Sequence, residues 1–135
     1  MTDLAQTLVP WSKQRTIALR TRKRNGAMVS TPVSIAVDGN HAYIRTYDAS
    51  GKAKRLRNLP EVEFAPSTSR GKPTGPWVAA RARLLHGEEA ERAAQALRRK
   101  FPLLHRAVPL YHRLRGWQTL HYELHDISEP NGAGS

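Results

Sequence analysis

The clearest signal along the chain is a period of two. Val29, Thr31, Val33, Ile35 and Val37 alternate with Ser30, Pro32, Ser34 and Ala36, the pattern of a strand with one face on a core. Asp38-Gly39-Asn40 then supplies turn chemistry, and His41 to Tyr47 reads as the return strand of a hairpin. Thr16 to Thr21 is a shorter strand upstream, with Asn25-Gly26 as its turn into the next. Glu61 to Ala65, Trp77 to His86 and Trp117 to His125 complete a set of six. In the last of these, Leu120, Tyr122 and Leu124 alternate with Thr119, His121 and Glu123.

Helical spacing is rarer. Ala90, Ala93, Ala94 and Leu97 recur at helical intervals after Gly87, with acids in the first turn and Arg98, Arg99 and Lys100 in the last, a polarity that suits the helix dipole. Pro102 closes that helix. Leu103 to Leu114 predicts a second one, disturbed by Pro109, and short helices are expected at Asp3 to Leu8 and Lys52 to Arg57. Pro66 to Pro76 reads as a loop. Six short antiparallel strands with helices inserted late predict a mainly β (α+β) fold, a small barrel carrying short helices. We expect one domain over residues 1–128 and a disordered tail over 129–135. Pro32 has no N–H for a ladder, so it implies an edge or a bulge, and such irregularities often border binding sites.

Composition narrows the function. The chain has 135 residues and no cysteine, which excludes a disulfide scaffold, a thiolate metal site and a cysteine nucleophile. No apolar run approaches a membrane span, and Met1-Thr2-Asp3-Leu4 lacks the basic and apolar regions of a signal peptide; a cytoplasmic protein is expected. The formal net charge is +11, and from Lys13 to Arg57 eleven basic residues face two acids, Asp38 and Asp48. These bases alternate with apolar residues, so they belong to folded structure and call for an anionic partner. No helix-turn-helix, aromatic RNA-binding strand motif or zinc finger accompanies them, so nucleic acid is not the expected partner.

The most distinctive chemistry runs from Thr46 to Arg57. A strand ends, the Ser50-Gly51 turn frees backbone N–H groups, and a helical turn begins with Lys52, Lys54 and Arg55 on it. Phosphates are commonly held this way, although the spacing is not that of a P-loop. A basic helix face turned to water explains the same residues equally well. His121 and His125 have a metal-ligand spacing without a third ligand nearby, and no metal site is expected. His41, His86, His105 and His112 form no pattern. No nucleophile–histidine–carboxylate set is visible, so any catalysis would be carried by a cofactor rather than by catalytic side chains. Trp77 and Trp117 each stand where a loop enters a strand, placed either to stack on a planar ligand or to pack in a core or dimer interface.

The strand Thr31-Pro32-Val33, the run Tyr43-Ile44-Arg45-Thr46 leading to Ser50-Gly51-Lys52-Ala53-Lys54-Arg55-Leu56, and Asn58-Leu59-Pro60-Glu61-Val62-Glu63-Phe64 together resemble one superfamily. It is the pyridoxamine 5′-phosphate oxidase-like split β-barrel superfamily, in which a strand, a Ser-Arg-Lys-Ala turn and an Asn-x-Pro-x-Val strand recur. Ala65-Pro66-Ser67-Thr68, Arg70-Gly71-Lys72-Pro73-Thr74-Gly75-Pro76 and His112-Arg113-Leu114-Arg115-Gly116 are similar to its deazaflavin-dependent (coenzyme F420) branch, found in actinobacteria. The resemblance covers residues 10–125.

The resemblance implies a six-stranded antiparallel split β-barrel of the FMN-binding type, acting as a homodimer with cofactor sites at the subunit interface. Lys52 matches the lysine that binds the cofactor phosphate, with Thr46 and Ser50 in the same turn. Gly51 stands where FMN-binding oxidases carry arginine, and Arg55 could compensate from the following helical turn. Thr31, Pro32 and Val33 match the strand whose backbone lies against the flavin-like ring, and Trp77 and Trp117 would come from the partner subunit. The implied activity is hydride transfer between F420 and a small unsaturated or conjugated acceptor. The alternatives are an FMN-dependent enzyme of the same fold and a cofactor-binding protein without turnover.

Overall fold

The computed structural model describes residues 4–48 and 50–128. The alternating segments become the wall of a barrel because each buries one face. The strands are β1 (Thr16–Arg22), β2 (Met28–Asp38), β3 (His41–Tyr47), β4 (Glu61–Pro66), β5 (Val78–Leu84) and β6 (Thr119–His125). They pair antiparallel in the closed order β1-β2-β3-β6-β5-β4, and β1 returns to β4. Ile17, Leu19, Val33, Ile35, Ile44, Phe64, Tyr122 and Leu124 point inward and form one core. Each such large side chain, fully buried, contributes about 1.5–3 kcal/mol. A six-stranded antiparallel barrel with short helices is what the strand pattern and the resemblance imply.

The helices are α1 (Leu4–Ser12), α2 (Gly51–Asn58), α3 (Gly87–Lys100) and α4 (Pro102–Leu114). From α1, Trp11 packs on Phe64 in the core, their ring centres 4.7 Å apart. Among its described side chains α2 buries Ala53 and Leu56, three residues apart on one face, leaves Lys54 and Arg57 exposed and holds Lys52 and Arg55 half-buried. α3 lies outside the barrel, where Ala93, Ala96 and Leu97 join Ala36, Tyr43, Leu85 and Phe101 in a second cluster. Its last residue, Lys100, donates from Nζ to the carbonyls of Gln14 and Ile35 (2.9 Å for Ile35), tying the helix end to the barrel.

Several boundaries differ from the sequence pattern. α1 continues through Pro10 to Ser12, since Leu8 and Trp11 are both buried on one face; Asp3, proposed as its start, lies outside the described residues. α4 takes Pro102 into its first turn, where a missing N–H costs nothing, and runs on past position 109. β5 and β6 begin at Val78 and Thr119, so Trp77 and Trp117 precede their strands. The tail at 129–135 lies outside the described residues, as does Ala49. No helix among the described residues is long and apolar enough to cross a membrane.

Pro32 sits on a half-open edge. β2 pairs with β1 from Met28 to Ser34, but with β3 only from Ile35 to Asp38. The bond from Ile35 N–H to the Arg15 carbonyl sets the phase of the β1–β2 ladder. In that phase Thr31, Val33 and Ile35 exchange bonds with β1, whereas Ser30, Pro32 and Ser34 turn their backbone groups away from it. Pro32 therefore removes no ladder bond. Gly71, at φ +90, brings the 67–76 loop against it: a Cβ there would lie 3.2 Å from Pro32 Cδ.

Candidate functional site

The parting of β2 from β3 opens a groove. Beyond the Ile35–Ile44 pair, Arg45, Thr46 and Tyr47 of β3 pair with β6 and, among the described residues, no longer with β2. Pro32, Val33 and Ser34 of β2 form one wall and Arg45, Thr46 and Tyr47 the other. Lys52 of α2 and His112 of α4 complete a space of about 220 Å³. None of these lining residues is acidic.

The start of α2 positions Lys52. Ser50 is its N-cap: the Oγ accepts from Ala53 N–H at 3.0 Å and lies 3.0 Å from Thr46 Oγ1. Both hydroxyls are buried, so they join the end of β3 to the helix rather than face solvent. Arg55 reaches back one turn, donating from Nε to Thr21 Oγ1 inside the barrel end. Its Nη1 would be 2.8 Å from a Cβ on Gly51, so the guanidinium occupies the space a side chain at 51 would begin to fill.

The charges here are strained by burial. Desolvation, and secondarily Arg55, holds the Lys52 ammonium below the usual lysine range. Desolvation alone lowers Arg45 to about 10, so it stays cationic at neutral pH. An anion placed between them would recover much of that cost.

An aromatic cluster closes the other end. Tyr47 stacks on Trp117 with ring centres 4.3 Å apart and planes 12° from parallel, and Tyr111 meets Trp117 edge-on at 5.8 Å. Arg115 lies 5.1 Å above the Trp117 ring. His112, 6% exposed, has Nδ1 2.8 Å from Thr119 Oγ1. Burial, then Arg45, pushes its pKa below the ordinary histidine value, while Asp48 pulls the other way. Asp48 is pinned in turn, its Oδ1 accepting from Gln118 N–H at 3.0 Å.

The sequence-derived candidates therefore divide. Pro32, Val33, Thr46 and Lys52 line the groove, and Ser50, Gly51 and Arg55 build the turn beneath Lys52. Thr31 Oγ1 is buried and without a partner among the described residues. Trp117 backs Tyr47 of its own chain. Trp77 lies apart, its ring 3.7 Å beneath the Arg20 guanidinium, which also pairs with Glu63 at 2.8 Å. Ser34, Arg45, Tyr47 and His112 were not singled out from the sequence. Alternation within His41 to Tyr47 could have placed Arg45 and Tyr47 together on the outer face; His112 stands in the His112-to-Gly116 run that carries the resemblance, but nothing in that run assigns the histidine a role.

The chain matches no family model and no curated protein. Several solved structures share its fold. A protein of unknown function from Agrobacterium tumefaciens superposes with a TM-score of 0.64 at 18% identity, over 93% of this chain and 54% of that one. A heme-binding protein from Mycobacterium smegmatis gives 0.65 at 14%, over 92% and 51%. A candidate pyridoxamine 5′-phosphate oxidase from Listeria innocua gives 0.61 at 12%, over 90% and 91%. The chain thus spans about half the length of the first two and nine-tenths of the third. By fold, this protein is similar to split barrels of the pyridoxamine 5′-phosphate oxidase-like and heme-binding kinds.

Proposed function

We propose that the groove holds coenzyme F420 and that the protein is an oxidoreductase reducing a small unsaturated or conjugated acceptor. The observation that carries this reading is that Lys52 and Arg45, both half-buried, line one groove beside an exposed strand edge. A phosphate near either cation gains about 1 kcal/mol in water and about 4 at an intermediate dielectric, so partial burial favours this site over the exposed lysines. The residues fit a phosphorylated ring cofactor. Lys52 and Arg45 would neutralise the phosphate, the outward backbone groups of β2 at Ser30 to Ser34 would be open to hydrogen-bond the ring, and Pro32 offers an apolar surface without an N–H to desolvate. When bound, the cofactor supplies the hydride.

Charge favours F420 over FMN. F420 carries a phosphodiester and a glutamyl tail, and the Arg55–Thr21 bond sets α2 beside the β1–β2 hairpin, where Arg22, Lys23, Arg24, Lys54 and Arg57 are all exposed. Those cations extend the field of the groove along the path of a polyanionic tail. FMN remains the second reading because the folded-back Arg55 guanidinium supplies a cation beside Gly51, where FMN-binding relatives carry arginine. A second copy of the chain over the open groove would shield the acceptor from water, with Trp77 as a candidate contribution from that copy.

Fluorescence titration of the purified protein with F420 and with FMN tests the reading. We expect saturable F420 binding, with FMN about ten-fold weaker or worse. Tight FMN binding without F420 binding overturns it.

A further inference from the structure

We propose that His112 is a catalytic residue of this site: a neutral imidazole, its Nδ1 held by Thr119, that donates a hydrogen bond from Nε2 to an oxygen of the acceptor. The proposal rests on the groove reading for its substrate but not for its geometry. His112 is the histidine that lines the groove, and its Nδ1 is engaged by Thr119 Oγ1 at 2.8 Å. Here the hydroxyl is taken as the donor to Nδ1, which puts the ring proton on Nε2, on the opposite edge of the ring. The backbone adds rigidity, since Trp117 N–H donates to the His112 carbonyl at 2.8 Å.

The surroundings favour a neutral ring. Arg45 from β3 opposes a second positive charge, Lys52 from α2 lines the same groove, and Asp48, the nearby acid, is already hydrogen-bonded to Gln118. Tyr47, Tyr111 and Trp117 surround the ring with aromatic carbon. A neutral imidazole still carries one ring N–H and so remains a hydrogen-bond donor.

Such a donor suits an acceptor whose reducible double bond is conjugated to an oxygen, within the class already proposed. Bound F420 would supply a hydride, which an enone would accept at its β-carbon. The C=C pair becomes a bond to the carbonyl carbon, and the C=O π pair comes to rest on oxygen. His112 Nε2–H and the Arg45 charge stabilise that oxygen, and water then protonates the α-carbon, leaving hydroxide. Donors aimed at developing charge are worth about 100-fold or more in rate.

The test needs no turnover. Imidazole nitrogen NMR of the free protein at pH 7.5 should show His112 as one neutral Nε2–H tautomer, and Thr119→Val should mix the tautomers. Cyclohexanone, which offers the oxygen without a reducible double bond, should shift Nε2; methylenecyclohexane should not. An Nδ1–H tautomer, a ring titrating at the ordinary histidine pKa, or equal responses to the two probes overturns the proposal. Should F420 fail to bind while these signatures hold, only the cofactor reading falls.

Discussion

Gly51 matters for the volume it leaves empty. Its backbone needs no left-handed conformation, so alanine would fit the helix and raise its propensity by about 0.5–1 kcal/mol. The obstacle is Arg55 Nη1, 2.8 Å from the new Cβ, the far end of a flexible side chain that can move aside. Gly51→Ala should therefore leave the melting temperature equal or slightly higher while weakening phosphate-bearing ligands a few-fold, because Arg55 is displaced. A thermal melt beside a ligand titration reads both. Lys52 and Ser50 were legible in the sequence because the turn that unites them is contiguous. Arg45 and His112 were not, since they meet only when β3 parts from β2 and α4 folds across the opening.

Among the elements, α2 depends most on its first residue. It buries two small or medium side chains, so its position is set largely by the Ser50 cap and the Thr46 contact. Ser50→Ala should cost about 1 kcal/mol in denaturant unfolding and loosen ligand binding more than stability alone explains, because Lys52 loses its anchor. An unchanged unfolding midpoint would contradict the capping role. The strands were readable because a period of two shows wherever one face is buried. Their ends were less so: Trp77 and Trp117 look like strand residues by type, yet each precedes its strand and packs on the side chain of another one, Arg20 of β1 for Trp77 and Tyr47 of β3 for Trp117. Pro32 signalled an edge correctly, and register alone explains why the edge is only half a strand long.

For the whole molecule, the net charge of +11 is unevenly answered. Glu61, Glu63, Glu89 and Glu123 pair with Arg81, Arg20 and Arg83 around β4, β5 and β6, while the α2 end keeps its cations unmatched by acids of its own elements. Burial also sets the acid limit of the fold. His121 is held at about pKa 4 by desolvation, with Arg45 adding to the effect, whereas the unfolded chain titrates near the ordinary value of 6.5. Between those values the unfolded state binds the extra proton, so stability present above pH 6.5 is lost as pH falls toward 4. His121→Gln should flatten the fall of melting temperature across that window; an unchanged slope would assign it to other groups.

The central claim is that one polyanionic cofactor sits against Lys52. Its most direct test is the dissociation constant of F420 for the wild type and for Lys52→Ala, at fixed low ionic strength, with melts of both. The account predicts a dissociation constant raised about ten-fold or more, as for loss of a charge-assisted bond, at an equal or higher melting temperature. Equal affinities in two folded proteins would contradict it.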